Sequence, residues 1–171
     1  MYFHKQQWLK VGLLSICCAT LPDVDSISFR LGIPYEHWLG HRGFFHSIIF
    51  AAIIAVFASR LSPGKNMQEK NVAFGIFFAG GLLHDVSDAM TNGGLGVAFF
   101  SPFINTRYFF PWHPIEVSPI SLNRFFSSRG CSVLKSEFVW VIVPSLCLMA
   151  FTSLYRYNRR VSRRSHDQQV Q

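Results

Sequence analysis

Six residues with metal-binding side chains stand at the ends of apolar runs in this 171-residue chain. Asp23 and Asp25 lie in "LPDVD", His41 and His46 in "GHRGFFHS", and His84 and Asp88 in "GLLHDVSD". A carboxylate or imidazole beside a membrane-length apolar segment is costly to bury, so its presence there asks for a function. His84 and Asp88 are four apart, which on a helix puts both on one face where they can hold one ion. Asp85 points about a quarter-turn away, toward a second metal or an outer hydrogen bond, and is the candidate base. Asp23-x-Asp25 in a loop can present both carboxylates on the same side. His41 and His46 are five apart, which a continuous helix would splay. Gly40 and Gly43 therefore put His41 in a lead-in loop and His46 in the first turn of the helix that follows.

Hard carboxylates mixed with imidazoles suit Zn²⁺, Mn²⁺ or Fe²⁺ better than Ca²⁺, Mg²⁺ or Cu⁺, with Zn²⁺ preferred. The set is large enough for one or two ions with a coordination position left for water. Metal-activated water is the nucleophile of metal hydrolases. Arg42 and Arg107 are the candidate substrate contacts, through a phosphate, although an arginine at a membrane boundary also snorkels without any substrate. Each element has a plain reading too: a DxD often caps a loop, and His84 with Asp88 can be a simple intrahelical pair. His4, His37, His113 and His166 lack partners at ligand spacing.

The elements that must position these residues are membrane helices. Half of the chain is hydrophobic and 15% is charged, and its 18 Phe and 4 Trp exclude a disordered chain. Long uncharged stretches argue for an all-α integral membrane protein with four transmembrane helices. These are expected at 8–22, 44–59, 71–90 and 138–155, with a Pro- and aromatic-rich loop over 91–137. "RLSPGK" turns the chain after the second and "TNGG" stops the third. Pro144 should kink the fourth. One membrane domain, 1–155, is followed by a basic tail, 156–171. All four cysteines read as small core or loop residues, with no CxxC spacing. A basic start and a short apolar run also fit a signal peptide over 1–22, but no convincing cleavage site precedes the cysteines.

The net charge of +7 is placed for a membrane and not for nucleic acid, since five basic residues sit in "RYNRRVSRR" directly after an apolar run. Putting that tail in the cytoplasm places Lys5, Lys10, Arg60, Lys65 and Lys70 there as well, ten of the sixteen basic residues in all. The first segment then ends outside, the second begins outside and the third ends outside. All six ligand candidates reach the extracytoplasmic side.

The same motifs, together with "RYFFPWHPIEVSPI", resemble the membrane-bound metal-dependent hydrolase family, which includes a LexA-regulated inner-membrane protein. The likeness runs from about residue 8 to 155 and follows the order and spacing of the motifs. It implies a multi-pass protein of the bacterial inner membrane and implicates Asp23, Asp25, His41, His46, His84 and Asp88 as the polar site. HxxxD on an apolar helix is also distantly similar to zinc-dependent phospholipase C. Family members often carry a further His before the LPDxD segment, and here His4 is the residue that would substitute.

The leading expectation is a membrane hydrolase with a metal-activated water, acting on a phosphoester of a lipid headgroup at the outer boundary. Its partners are membrane lipids and not nucleic acid, with a homo-oligomer allowed. A metal-binding transporter and a non-catalytic membrane protein are the competing classes. Metal content separates the last from the first two, and phosphoester turnover separates the first from the second.

Overall fold

A computed structural model describes residues 3–118 and 126–169, which form two compact units, Met1–His113 and Pro114–Gln171. The first unit holds α1 (Lys5–Thr20), α2 (Ile48–Leu61) and α3 (Met67–Ala89), with 3-10 segments at Leu21–Phe29 and Phe44–His46. At the start of α1, Gln7 Oε1 accepts from the His4 backbone N–H, and Gln7 Nε2 donates to the Pro63 carbonyl at 3.1 Å. That second bond ties the beginning of α1 to the turn between α2 and α3. α1 and α3 therefore run one way and α2 returns, so the end of α1, the start of α2 and the end of α3 gather at one end of the bundle. Four polar caps account for the ends: the Ser47 hydroxyl accepts from Phe50 N–H, Asn66 accepts from Glu69 N–H, and Thr20 and Thr91 bond back to Ile16 and Asp88 carbonyls.

Close approach of the helices follows from small residues. The buried positions of α3 recur every four residues, Ala73, Phe77, Gly81, Asp85 and Ala89, and those of α2 are Ala51, Ala55, Ala58 and Ser59. A Cβ on Gly81 would come within 3.3 Å of the Ala51 Cβ, so the two backbones pack against each other there. In lipid, where no hydrophobic effect drives helices together, such backbone proximity is what dispersion works through. Val11 and Cys18 of α1 complete this core, while Leu9, Leu13, Ile16, Phe57 and Leu83 face outward, as lipid contact requires. α3, with 23 residues, is about 34 Å long, enough to cross a hydrocarbon layer of about 30 Å. α2, with 14 residues, is about 21 Å long and falls short of that thickness.

The helical part of the second unit is one continuous run: α4 (Ser128–Glu137), a π turn (Phe138–Ile142) and α5 (Val143–Gln169). One of its features differs from the sequence reading. The expected loop 91–137 becomes helical at Ser128, because "SRGCSVLKSE" follows Ser127 without a helix breaker other than Gly130. Pro144 has no N–H to donate, and the chain meets this with the π turn just upstream, where Val143 N–H bonds the Phe138 carbonyl. α5 continues past Tyr155 to Gln169. Of the cysteines only Cys18 is buried; Cys17, Cys131 and Cys147 are exposed, since the apolar runs holding Cys17 and Cys147 turn those positions outward. The side chains of Arg160, Arg163, Arg164 and His166, and all of Arg124, lie outside the described residues. Among the described residues there is no strand; Val97 and Tyr108 form an isolated antiparallel bridge. The fold is an all-α membrane fold with three helices long and apolar enough to span and one shorter apolar helix.

Candidate metal centre

The gathered helix ends bring four of the six ligand candidates together. One donor atom from each of Asp23, His46, His84 and Asp88 lies within 4.8 Å of all the others. His46 Nε2 is 3.3 Å from Asp88 Oδ2 and 3.6 Å from Asp23 Oδ1, and His84 Nε2 is 3.5 Å from Asp23 Oδ1. His46 Nε2 and His84 Nε2 are buried and make no well-formed hydrogen bond, their carboxylate neighbours standing 3.3–3.6 Å away. Such poorly paired nitrogens are costly unless something else satisfies them, and two imidazoles with two carboxylates fit a tetrahedral or open-sided divalent ion. Asp23, whose side chain is 54% exposed, forms the open edge.

Asp25 and His41 stand one step back. The two Asp25 oxygens accept from three donors: His41 Nδ1, His46 Nδ1 at 2.9 Å and the Arg42 backbone N–H at 3.0 Å. With Nδ1–H given to Asp25, His46 presents Nε2 to the cluster, the carboxylate–histidine arrangement that orients metal-binding imidazoles. Burial disfavours a charged His46, but bonds to the Asp23, Asp25 and Asp88 carboxylates outweigh it and raise its pKa well above the usual value. A proton and a cation therefore compete for the same nitrogen.

The 3-10 geometry explains why Asp23 and Asp25 part company. At three residues per turn, Pro22, Asp25 and Ser28 share the buried face, and Asp23 falls on another. The expectation that both carboxylates face the same side fails for that reason. His46 closes the 3-10 turn before α2 and not its first α turn, because Ser47 caps the helix. The glycines of "GHRG" serve close packing: a Cβ on Gly43 would lie 2.3 Å from the Trp38 carbonyl oxygen.

Residues 2–160 match the family described as YdjM inner membrane protein. The chain belongs to that family. It is similar to inner membrane protein YbcI of Escherichia coli (strain K12), with 37% identity over 138 residues and 78% of each chain covered. No solved structure matches it. Family and apolar helices together locate the protein in the inner membrane of a bacterium.

In this inner-membrane family member both arginines expected to meet substrate are engaged by the protein. Arg42 is 4% exposed; Nη2 donates to Asp88 Oδ1 at 3.0 Å, Nε lies 2.9 Å from Asp88 Oδ2, and Nη1 donates to Thr91 Oγ1 and the Gly93 carbonyl. Arg107 donates to the His41 and Tyr35 carbonyls at 2.8 and 2.6 Å and lies over the Tyr35 ring, pinning the loop that precedes His46. Partial burial lowers the Arg107 pKa. The protein itself thus holds both guanidiniums, Arg42 through Asp88 and Arg107 through backbone carbonyls.

Asp85, on the buried stripe of α3, is 1% exposed and its two carboxylate oxygens have no hydrogen-bond partner. His4 caps α1 at the other end of the bundle, about 24 Å away along 16 helical residues, and does not join the cluster. His113 stacks edge-on against Phe109 instead. Thr91 and Gly93, read from sequence only as a helix stop, turn out to hold Arg42. Gly94 carried the one signal: it has φ +86, and a Cβ there would lie 2.7 Å from the Tyr35 hydroxyl and 3.1 Å from Arg42 Nη1.

Proposed function

We propose that this protein is a membrane metal-dependent hydrolase whose ion sits between Asp23, His46, His84 and Asp88. The observation that carries the reading is the convergence of four donors from three chain segments, with both imidazole Nε2 atoms buried, facing carboxylates at 3.3–3.6 Å and making no well-formed hydrogen bond. A divalent ion in that set, Zn²⁺ ahead of Mn²⁺ or Fe²⁺, supplies Lewis acidity and lowers the pKa of a water. His46 is oriented by Asp25, His84 and Asp88 share one face of α3, and Asp23 closes the open edge. Asp85, next in sequence to His84 and without a hydrogen-bonded partner, is assigned the proton-accepting role.

The substrate class we assign is a phosphoester in a lipid headgroup. His84 and Asp88 fall in the last turns of a helix that crosses the bilayer, so the cluster lies at a membrane boundary. Phe110 N–H donates to the Ala89 carbonyl at 3.0 Å, which fixes an aromatic loop beside it, with Tyr108, Phe110 and Trp112 exposed at headgroup level. The distribution of basic residues argues for the extracytoplasmic face. A reporter fused after Arg164 should then behave as cytoplasmic and one inserted near Ser127 as external; the reverse pattern moves the site to the other face.

Metal analysis of the detergent-purified chain tests the core of the proposal. Bound divalent metal in the unmodified protein, lost in His84→Ala that still inserts, together with turnover of a phosphoester, is the expected result. Metal without turnover of any phosphoester favours ion handling, and no metal under any loading condition removes the reading.

A further inference from the structure

We propose that the centre is mononuclear and that the Arg42 guanidinium stands where a second cation would stand, holding Asp88 in position for the single ion. This inference rests on the metal-centre reading above. Two-metal hydrolytic sites place their ions about 3.5–4 Å apart and need carboxylates shared between them. Around His46 the three carboxylates are Asp23, Asp25 and Asp88. Asp25 has both oxygens occupied by His41, His46 and the Arg42 N–H, so it has little capacity left to bridge. Asp88 meets Arg42 on both oxygens, at 3.0 and 2.9 Å. A second ion on Asp88 would have to displace a guanidinium that is itself buried and anchored.

The anchoring is complete. Besides the two Asp88 contacts, Nη1 donates to Thr91 Oγ1 at 2.9 Å and to the Gly93 carbonyl at 3.0 Å, and the Arg42 carbonyl accepts from Ala98 N–H at 3.0 Å. Arg42 also has φ 59, a left-handed backbone that a side-chain-bearing residue adopts only where its surroundings enforce it. That conformation lets one residue give its N–H to Asp25 while its side chain grips Asp88. The single residue thereby links the carboxylate that orients His46 to the carboxylate that faces it. Lysine carries the charge but not the planar fork, so it cannot make the paired contact.

The test loads the full chain in detergent with Co²⁺, reading ions per chain by elemental analysis, affinity by titration and coordination by the visible ligand-field spectrum. The unmodified protein should saturate at one ion per chain. Arg42→Ala should weaken Co²⁺ binding about 10–100-fold, the range for residues that orient metal ligands, and shift the spectrum, with Arg42→Lys in between. Should Arg42→Ala fail to fold, Thr91→Val loosens the guanidinium without removing it and should shift the spectrum in the same sense by less. Saturation at two ions per chain, or an unchanged affinity and spectrum in the Arg42 and Thr91 variants, overturns the inference and leaves the metal-centre reading standing. No ion in the unmodified protein overturns both.

Discussion

α3 and the α4–α5 rod each offer enough apolar length to cross a bilayer, and they spend it differently. Every described residue of the α5 rod from Phe138 to Arg159 is exposed, as befits a helix whose side chains meet lipid. α3 instead turns a stripe of small residues and one carboxylate inward and places His84 and Asp88 at its last turns. The most uninterrupted apolar run is therefore the one without ionisable groups to do chemistry. Dilution of hydropathy by inward-facing polar residues is the better mark of a site, because lipid tolerates such residues only when the protein shields or uses them.

Four substitutions break or sharpen that contrast. The largest effect belongs to Asp25→Ala. Its carboxylate is fully buried and serves His41, His46 and Arg42, so its loss leaves several donors uncompensated. Unfolding in detergent should show a cost of about 3–5 kcal/mol, along with loss of metal. Asp23→Ala, two residues away but on the open edge, should lose metal with little change in unfolding. Equal destabilisation by both would erase the division between a ligand and its support.

Next comes Asp85→Asn, which keeps volume and burial. Bound metal should stay near the unmodified level while phosphoester turnover falls about 10–100-fold. If metal is lost in step with turnover, Asp85 belongs among the ligands and not beside them. The smallest effect is expected on α5. Leu148 is 64% exposed, and Leu148→Ala should change stability by no more than about 0.5 kcal/mol and leave metal content untouched. A large loss there would mean that α5 is covered by a partner instead of lipid.

Much of the fold was legible because apolar runs and their punctuation are local. The runs at 8–22, 71–90 and 138–155 correspond to α1, α3 and the α4–α5 rod, with the expected spans differing at their ends. α3 begins at Met67 and not at 71 because Asn66 and Glu69 cap it, a pattern present in the sequence but outshone by the apolar run. The second helix was expected from 44, whereas "FFH" makes a separate 3-10 turn; Ser47 was the available signal for the true start. α4 was absent from the reading since its ten residues are polar and show no membrane-like run.

Sequence alone determined that the protein is helical and built for a membrane, and that the six ligand candidates gather at one end. Each polar motif sits at the end of an apolar run, and successive runs reverse direction, so the motifs return to a common side whatever the packing. What only the tertiary structure decided is the division of labour among them. A 3-10 turn in place of a loop separates Asp23 from Asp25 by face, sending one to the cluster and the other behind His46. The left-handed backbone at Arg42 directs its guanidinium to Asp88, and Arg107 is drawn to the carbonyls of the 35–41 loop. These outcomes depend on backbone angles and on partners 16 to 72 residues away in the chain, which residue type and spacing do not encode.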